Sequence, residues 1–375
     1  MTKKVFIITG DFSGDIHASS VVNEIKTLNQ DIELEGVGGE NLKKAGVKLL
    51  FNQEKMGAFG LSFKIIKDHL LMGKKILEYI TKEYKPDLVL LIDYGAFNLK
   101  IAKYIKKKSP YTKIFYYIPP QIWASRKWRI KTIKKYIDKV LCIFPFETEL
   151  YRENLIDVQF CGHPLVKQLP MPANREEFFK KNNLDTNKKL LSVFPGSRTI
   201  ELKMLMDTFI KSARLLKKKH PDIQIVFSQA PNIDDKIFKK YQNKLDFKVI
   251  KGENYAMLST SDALMLASGT VALEASLYNT PMIISYKGPW LFYLIYLIVR
   301  CIKKVSLPNI ITNKDIVPEL IQSKSNPNTI SYTLEKLLYD EEYRQNNISQ
   351  LKEVKEMLSD KNSAFEAAKS IVEAL

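Results

Sequence analysis

Leu190-Leu-Ser-Val-Phe-Pro-Gly-Ser-Arg-Thr-Ile-Glu201 holds the change of structure on which the fold turns. Leu190 to Phe194 has the length and apolar character of a buried strand. Pro195 and Gly196 stop it, and a helical pattern runs from Ile200 to Lys218. The same change recurs at Ala263-Leu-Met-Leu-Ala-Ser-Gly-Thr-Val-Ala-Leu-Glu274. Ile223–Ser228, Phe247–Ile250 and Met282–Ser285 read as further strands of this half. Short apolar strands alternating with helices are what a parallel sheet covered on both faces requires.

The pattern also fills the first half. Strands are expected at Val5–Thr9, Ile32–Val37, Pro86–Asp93, Lys113–Ile118 and Val140–Phe144. Helices are expected at Ile16–Leu28, with Asp15 as N-cap, at Leu61–Tyr84 and at Leu99–Lys107. Pro164, Pro170 and Pro172 interrupt the alternation before it restarts. The fold class expected is α/β: two doubly wound Rossmann-like domains facing a central cleft, the GT-B arrangement. The expected division is 1–165, a linker over 166–187, 188–340, and a helical tail over 341–375 that packs back on the first domain.

The 375 residues suit two domains, and 45% hydrophobic with 26% charged residues is a globular composition. A net charge of +17 favours an anionic partner, although a Lys-rich composition alone also raises the charge. The three cysteines form no CxxC pair, which argues against a disulfide framework or structural zinc and for a reducing compartment. The short apolar run after Met1-Thr-Lys-Lys4 does not suit a signal peptide, so a cytoplasmic location is expected. Trp290 to Val299 is a run of ten apolar residues followed by Arg300, too short for the roughly 20 that span a bilayer. It suits an interfacial segment at a membrane surface or a buried helix.

Two loops carry the chemistry of the second half. Gly196, Ser197 and Arg198, with Glu201 behind them, lie where a helix N-terminus favours a phosphate. Arg198 can form a bidentate pair with it. Ser268, Gly269 and Thr270 offer donors and a bare backbone, and Glu274 lies one turn into the next helix, placed to accept from a ribose diol. A plain helix cap explains either loop alone. Together, at the carboxyl ends of strands in one sheet, they make the donor site of a nucleotide-sugar transferase. Neither is a Walker A loop or a GxGxxG fingerprint.

In the first half, Gly10-Asp-Phe-Ser-Gly-Asp15 is a poor phosphate cradle because it carries two carboxylates. Asp11 and Ser13 suit a reacting alcohol better. Asp93 ends a buried strand, where a carboxylate can serve as general base on an acceptor hydroxyl or simply cap the next helix. Tyr117-Ile-Pro-Pro-Gln-Ile-Trp-Ala-Ser-Arg126 continues into cationic sequence that suits an anionic substrate or surface. No nucleic-acid module is evident. The four histidines lack metal-ligand spacing, and no Asp-x-Asp cluster is present, so neither metal nor cofactor is expected.

Taken in order, these segments resemble the lipid-A-disaccharide synthase family. Its markers here include Gly10 to Asp15, Gly36-Val-Gly-Gly39, Ile92-Asp93, Pro120-Gln-Ile-Trp-Ala124, Phe144-Pro-Phe-Glu147, Pro195 to Arg198, Ala267 to Thr270 with Glu274, and Ser306-Leu-Pro-Asn309. The resemblance implies a hexosyltransferase. It would pass 2,3-diacylglucosamine from its UDP donor to the 6-hydroxyl of 2,3-diacylglucosamine 1-phosphate with inversion, giving lipid A disaccharide 1-phosphate for lipopolysaccharide. Asp93 matches the family's proposed base. Arg198, Glu201, Ser268, Gly269, Thr270, Glu274 and Asn309 match its donor segments. Asp11 stands where the family usually has Glu, and Ala96 where a second Asp is common.

A lipid substrate would give the apolar residues Met56, Phe59, Leu61, Phe63, Ile66, Leu70, Trp290 and Phe292 a role in acyl or membrane contact. The protein is then expected on the inner face of the cytoplasmic membrane, held peripherally by an anionic surface. A homodimer is left open. The other readings are a two-Rossmann UDP-N-acetylglucosamine enzyme of peptidoglycan-transferase or 2-epimerase type, and a non-catalytic nucleotide-binding protein at a membrane surface.

Overall fold

The computed structural model describes residues 2–52, 63–241, 243–267, 269–289 and 301–375, and of residues 63–70 only the course of the helix. The chain divides into two compact units, Met1–Lys167 with Leu358–Leu375, and Gln168–Met357.

The first unit is built on β1 (Lys4–Ile8), β2 (Glu33–Gly38), β3 (Lys48–Asn52), β4 (Leu88–Ile92), β5 (Lys113–Tyr117), β6 (Lys139–Cys142) and β7 (Val158–Phe160). These form a parallel sheet in the order β3-β2-β1-β4-β5-β6-β7. Every residue of β4 is buried. Val89 and Leu91 pack on one face with Ile76, Ile101 and Ile105. Each such side chain, fully buried, contributes about 1.5–3 kcal/mol. Helix Ser363–Ala374 packs on helix Phe12–Leu28 within this unit. The Tyr117 and Ser363 hydroxyls meet at 2.8 Å.

The second unit holds β8 (Leu190–Phe194), β9 (Gln224–Gln229), β10 (Lys248–Lys251), β11 (Ala263–Ala267), β12 (Met282–Tyr286) and β13 (Glu319–Ile321). They form a parallel sheet in the order β10-β9-β8-β11-β12-β13. The adjacent strands β8 and β11 are wholly buried. The two units are doubly wound and Rossmann-like. The strand order reverses between β1 and β4 in one sheet and between β8 and β11 in the other, and in such sheets ligands bind beyond the strand ends at that crevice.

Several elements differ from the sequence expectation. β3, β7 and β13 were not anticipated. All three lie at sheet edges and are only partly buried, so they lack the apolar run that marks a central strand. The long helix is α-helical over Phe63–Glu78 and widens into a π-helical turn at Tyr79–Tyr84. Asp15 is not the N-cap of the first helix. That helix starts at Phe12 and Asp11 caps it, accepting from Gly14 N at 2.7 Å. The buried Asp15 carboxylate instead accepts from the backbone N–H groups of Gly39, Asn41 and Leu42, closing the start of helix Glu40–Lys44. Within the stretch 166–187, helix Arg175–Lys181 packs into the second unit through Phe178 and Phe179, and Arg175 pairs with Asp262 at 2.9 Å. Of the tail, residues to Met357 belong to the second unit and those from Leu358 to the first. Among the described residues no helix is long and apolar enough to cross a membrane.

Candidate functional sites, one in each unit

The turns after β8 and β11 flank a cavity of about 220 Å³. Gly196 makes the first turn at φ +119°, and a Cβ there would come within 2.5 Å of Glu201 Oε2. Gly269 makes the second at φ +153°, with open space where a side chain would stand. Both need glycine's freedom, and Gly269 leaves bare backbone for a ligand. Thr270 and Glu274 line the same cavity. Burial holds the Glu274 carboxyl above its ordinary value. Ser228 and Asn254 also line it, joined by a 2.7 Å hydrogen bond from Ser228 Oγ to Asn254 Oδ1. Sequence reasoning missed both. Each follows the rule that picked out the other loops, since Ser228 lies near the carboxyl end of β9 and Asn254 just beyond β10.

Two expectations for this site are altered. The backbone N–H groups of Ser197 and Arg198 are not vacant, because both donate to Glu201 Oε2, at 2.9 and 3.2 Å. The first turn of helix Thr199–Lys219 leaves donors without intrahelical partners, and a carboxylate three residues in closes them as a capping box. A phosphate would take these amides by displacing Glu201. The Arg198 guanidinium touches Glu201 only at 3.4 Å and is 79% exposed, so it can turn to an incoming anion. Asn309 is not brought to the cavity. Its buried side chain accepts from Val317 N at 2.8 Å and donates to Val317 O and to Glu319 Oε1 at 2.8 and 2.9 Å. Ser268 lies outside the described residues.

At the switch point of the first unit, Asp93 and Tyr94 make the turn after β4 in the left-handed region, at φ +46° and +53°. Non-glycine residues there cost about 1–3 kcal/mol each and persist where the surroundings fix them. Here the Tyr116 hydroxyl and Asn98 Nδ2 both donate to Asp93 O, at 2.6 and 2.8 Å. Asp93 Oδ1 accepts from Tyr94 N at 2.8 Å. Burial, and then the charge of Asp11, hold the Asp93 carboxyl above the usual aspartate range. Asp11 therefore both caps its helix and acts on Asp93 through its charge. Ser13 is set against His17, 3.4 Å from Oγ to Nε2. Burial and the nearby His17 push His163 down to about 3, and its Nδ1 accepts from Leu165 N, which is a structural role.

Asp93 lines a cavity of about 360 Å³ together with Ala96, Pro120, Arg126, Arg129 and Glu147. Glu147 was quoted in a motif but given no task. Its buried carboxyl accepts from Trp123 Nε1 at 3.0 Å and from Phe144 N at 3.2 Å, and burial pushes it up to about 7. The signal was a lone acid in an aromatic run, Phe144-Pro-Phe-Glu147. Among the described residues no group of three His, Cys, Asp or Glu could hold a metal. Met56, Phe59, Leu61, Trp290 and Phe292 lie outside the described residues, as do the side chains of Phe63, Ile66 and Leu70.

A family model described as lipid-A-disaccharide synthetase matches residues 5–375. The chain is 34% identical over 372 residues to the lipid-A-disaccharide synthase of Coxiella burnetii (strain CbuG_Q212), covering 98% of each. It is 32% identical over 376 residues to that of Anaeromyxobacter dehalogenans (strain 2CP-1), covering 99% of this chain and 97% of the other. Among solved structures it is similar to a putative UDP-N-acetylglucosamine 2-epimerase from Listeria monocytogenes, with a TM-score of 0.66 and 13% identity over 100% of this chain and 96% of that one. The UDP-GlcNAc 2-epimerase from Neisseria meningitidis bound to UDP-GlcNAc gives 0.62 and 14%, over 99% and 98%. At that identity the epimerases share the fold alone, whereas the sequence match runs through the whole chain: it belongs to the lipid-A-disaccharide synthase family of glycosyltransferases.

Proposed function

We propose that the chain transfers 2,3-diacylglucosamine from UDP to the 6-hydroxyl of 2,3-diacylglucosamine 1-phosphate, with inversion at the anomeric carbon. The observation that carries this is the Asp93 turn. It fixes a partly buried carboxylate at the switch point of the first sheet and makes it a stronger base than an exposed aspartate. In the reaction Asp93 takes the proton of the acceptor hydroxyl as its oxygen attacks C1 of the donor sugar. The C1–O bond to UDP breaks and UDP leaves with that electron pair. Asp11 and Ser13 border the acceptor side, and the charge of Asp11 raises the basicity of Asp93. Arg198 and the start of helix Thr199–Lys219 take the diphosphate, with Gly196, Ser197 and Glu201 shaping the turn. Ser268, Gly269 and Thr270 close the donor loop, and Glu274 accepts from the ribose. Asn309 has no direct part in this reading, because its side chain is held by Val317 and Glu319. General-base help of this kind is worth about 10²–10⁴-fold, or roughly 3–5 kcal/mol of barrier.

The lipid substrates and the net charge of +17 support a peripheral position on the inner face of an anionic membrane. Flotation with anionic vesicles at moderate salt checks this, and a chain that stays at the bottom contradicts it. The reaction is tested by incubating the chain with UDP-diacylglucosamine and diacylglucosamine 1-phosphate and weighing the lipid product by mass spectrometry. A disaccharide monophosphate is expected. An epimerised or merely hydrolysed donor would overturn the proposal.

A further inference from the structure

Two guanidinium groups face the cavity of the first unit, and no carboxylate among the described residues pairs with them. Arg126 and Arg129 line it beside Asp93 and Pro120. Arg129 lies across Gly95, where an added Cβ would stand 3.4 Å from its Nη1 and 2.6 Å from Pro120 Cβ. Among the described residues neither arginine makes an ion pair or a side-chain hydrogen bond. The nearby buried acid, Glu147, turns its oxygens to Trp123 and Phe144 instead. Burial, and then the charge of Arg126, hold the Arg129 guanidinium below its ordinary value. Arg129 is half-buried and Arg126 exposed beside it, and two like charges set together favour an anion that joins them.

The backbone around them is held in place at a cost. Arg126 has φ +60° and Ile118, on the same cavity wall, has φ +54°. A β-branched residue in that region is a genuine outlier, and such strain gathers at sites that bind. A guanidinium presents a planar fork that matches phosphate oxygens, and two of them suit a phosphomonoester. The cavity, at about 360 Å³, falls in the size range of small-molecule sites.

We propose that Arg126 and Arg129 bind the phosphate of the acceptor sugar and thereby set its free hydroxyl before Asp93. This rests on the transferase reading above and names the feature by which the acceptor is chosen. The pair recognises the phosphate end, while the hydroxyl across the same sugar ring reaches the base. The donor, whose phosphates sit in the second unit, gains nothing from these arginines.

The test uses the full chain and two acceptors in neutral, phosphate-free detergent: diacylglucosamine 1-phosphate and phosphate-free diacylglucosamine. Loss of a charged hydrogen-bonding partner should lower kcat/KM roughly tenfold to hundredfold. Wild type should lose that much when the phosphate is removed. Arg126→Ala and Arg129→Ala should lose as much on the phosphorylated acceptor and little on the other, with the KM for donor unchanged. Arg129→Lys should fall between, because it keeps the charge and loses the fork. Equal treatment of both acceptors by wild type, or equal losses by the variants on both, would overturn the proposal. Calorimetric titration of short-chain diacylglucosamine 1-phosphate reads the site without turnover. Phosphate-selective binding that vanishes in the variants, in a chain that transfers nothing, would keep the arginine pair and remove the transferase reading. Variants that lose vesicle binding but keep full discrimination between acceptors would assign the pair to bulk lipid headgroups and reject it as an acceptor site.

Discussion

The two switch points share a topology and differ in what makes their turns. In the second unit the turns rest on Gly196 and Gly269, which reach φ +119° and +153° without a Cβ to strain. In the first unit the turn is made by Asp93 and Tyr94, side-chain-bearing residues at φ +46° and +53°. A glycine turn offers bare backbone and suits a phosphate. A strained aspartate turn offers one fixed carboxylate and suits a proton. Sheet order selects the place, and in the function proposed the turn residues select the chemistry.

The largest effect expected on the glycine side comes from Arg198→Ala, which should raise the dissociation constant for UDP roughly tenfold to hundredfold by calorimetry. Unchanged affinity would take the diphosphate away from this loop. Glu274→Ala should weaken UDP about tenfold, the worth of a charge-assisted hydrogen bond. Wild type should lose a similar factor with 2′-deoxy-UDP, and a variant that still discriminates the deoxy ligand would place the ribose elsewhere. Glu201→Ala removes the carboxylate that closes Ser197 N and Arg198 N, and should cost about 1 kcal/mol in thermal unfolding. No change in stability would mean that the cap contributes nothing.

The smallest effect sharpens the aspartate side. The Asp93 carboxyl is held above its ordinary value in the fold. Between the unfolded and folded values the folded chain binds more protons, so stability falls as pH rises through that window. Asp93→Asn keeps the acceptor oxygen for Tyr94 N and removes the buried charge. It should therefore raise stability at pH 7 by about 1 kcal/mol or less, with the gain shrinking in acid. A variant less stable at neutral pH would show that the charge is well solvated.

The central strands were legible because β4 and β11 are apolar at every position and β8 at all but Ser192, the mark of a strand buried on both faces. The edge strands β3, β7 and β13 were not, because a partly exposed strand such as Lys48–Asn52 carries mixed composition. Asp15 misled because an aspartate near a helix start is a good cap for more than one helix. Here a contact 24 residues away, with Gly39 N, claims it. The loops of the proposed donor site were legible as glycine turns after strands. The capture of their amides by Glu201 depends on a side-chain rotamer that spacing alone does not reveal. Asn309 lies at a motif position and spends its amide on Val317 and Glu319. The placing of Arg126 and Arg129 in one cavity with Asp93 needed the segments after β4 and β5 brought to one sheet end.

The division of labour between the two turns is tested most directly by measuring kcat and UDP affinity together in Asp93→Asn. The variant should turn over roughly 10²–10⁴-fold more slowly while binding UDP as wild type does. Normal turnover would contradict the base at Asp93, and a parallel loss of UDP binding would contradict the separation of the two sites.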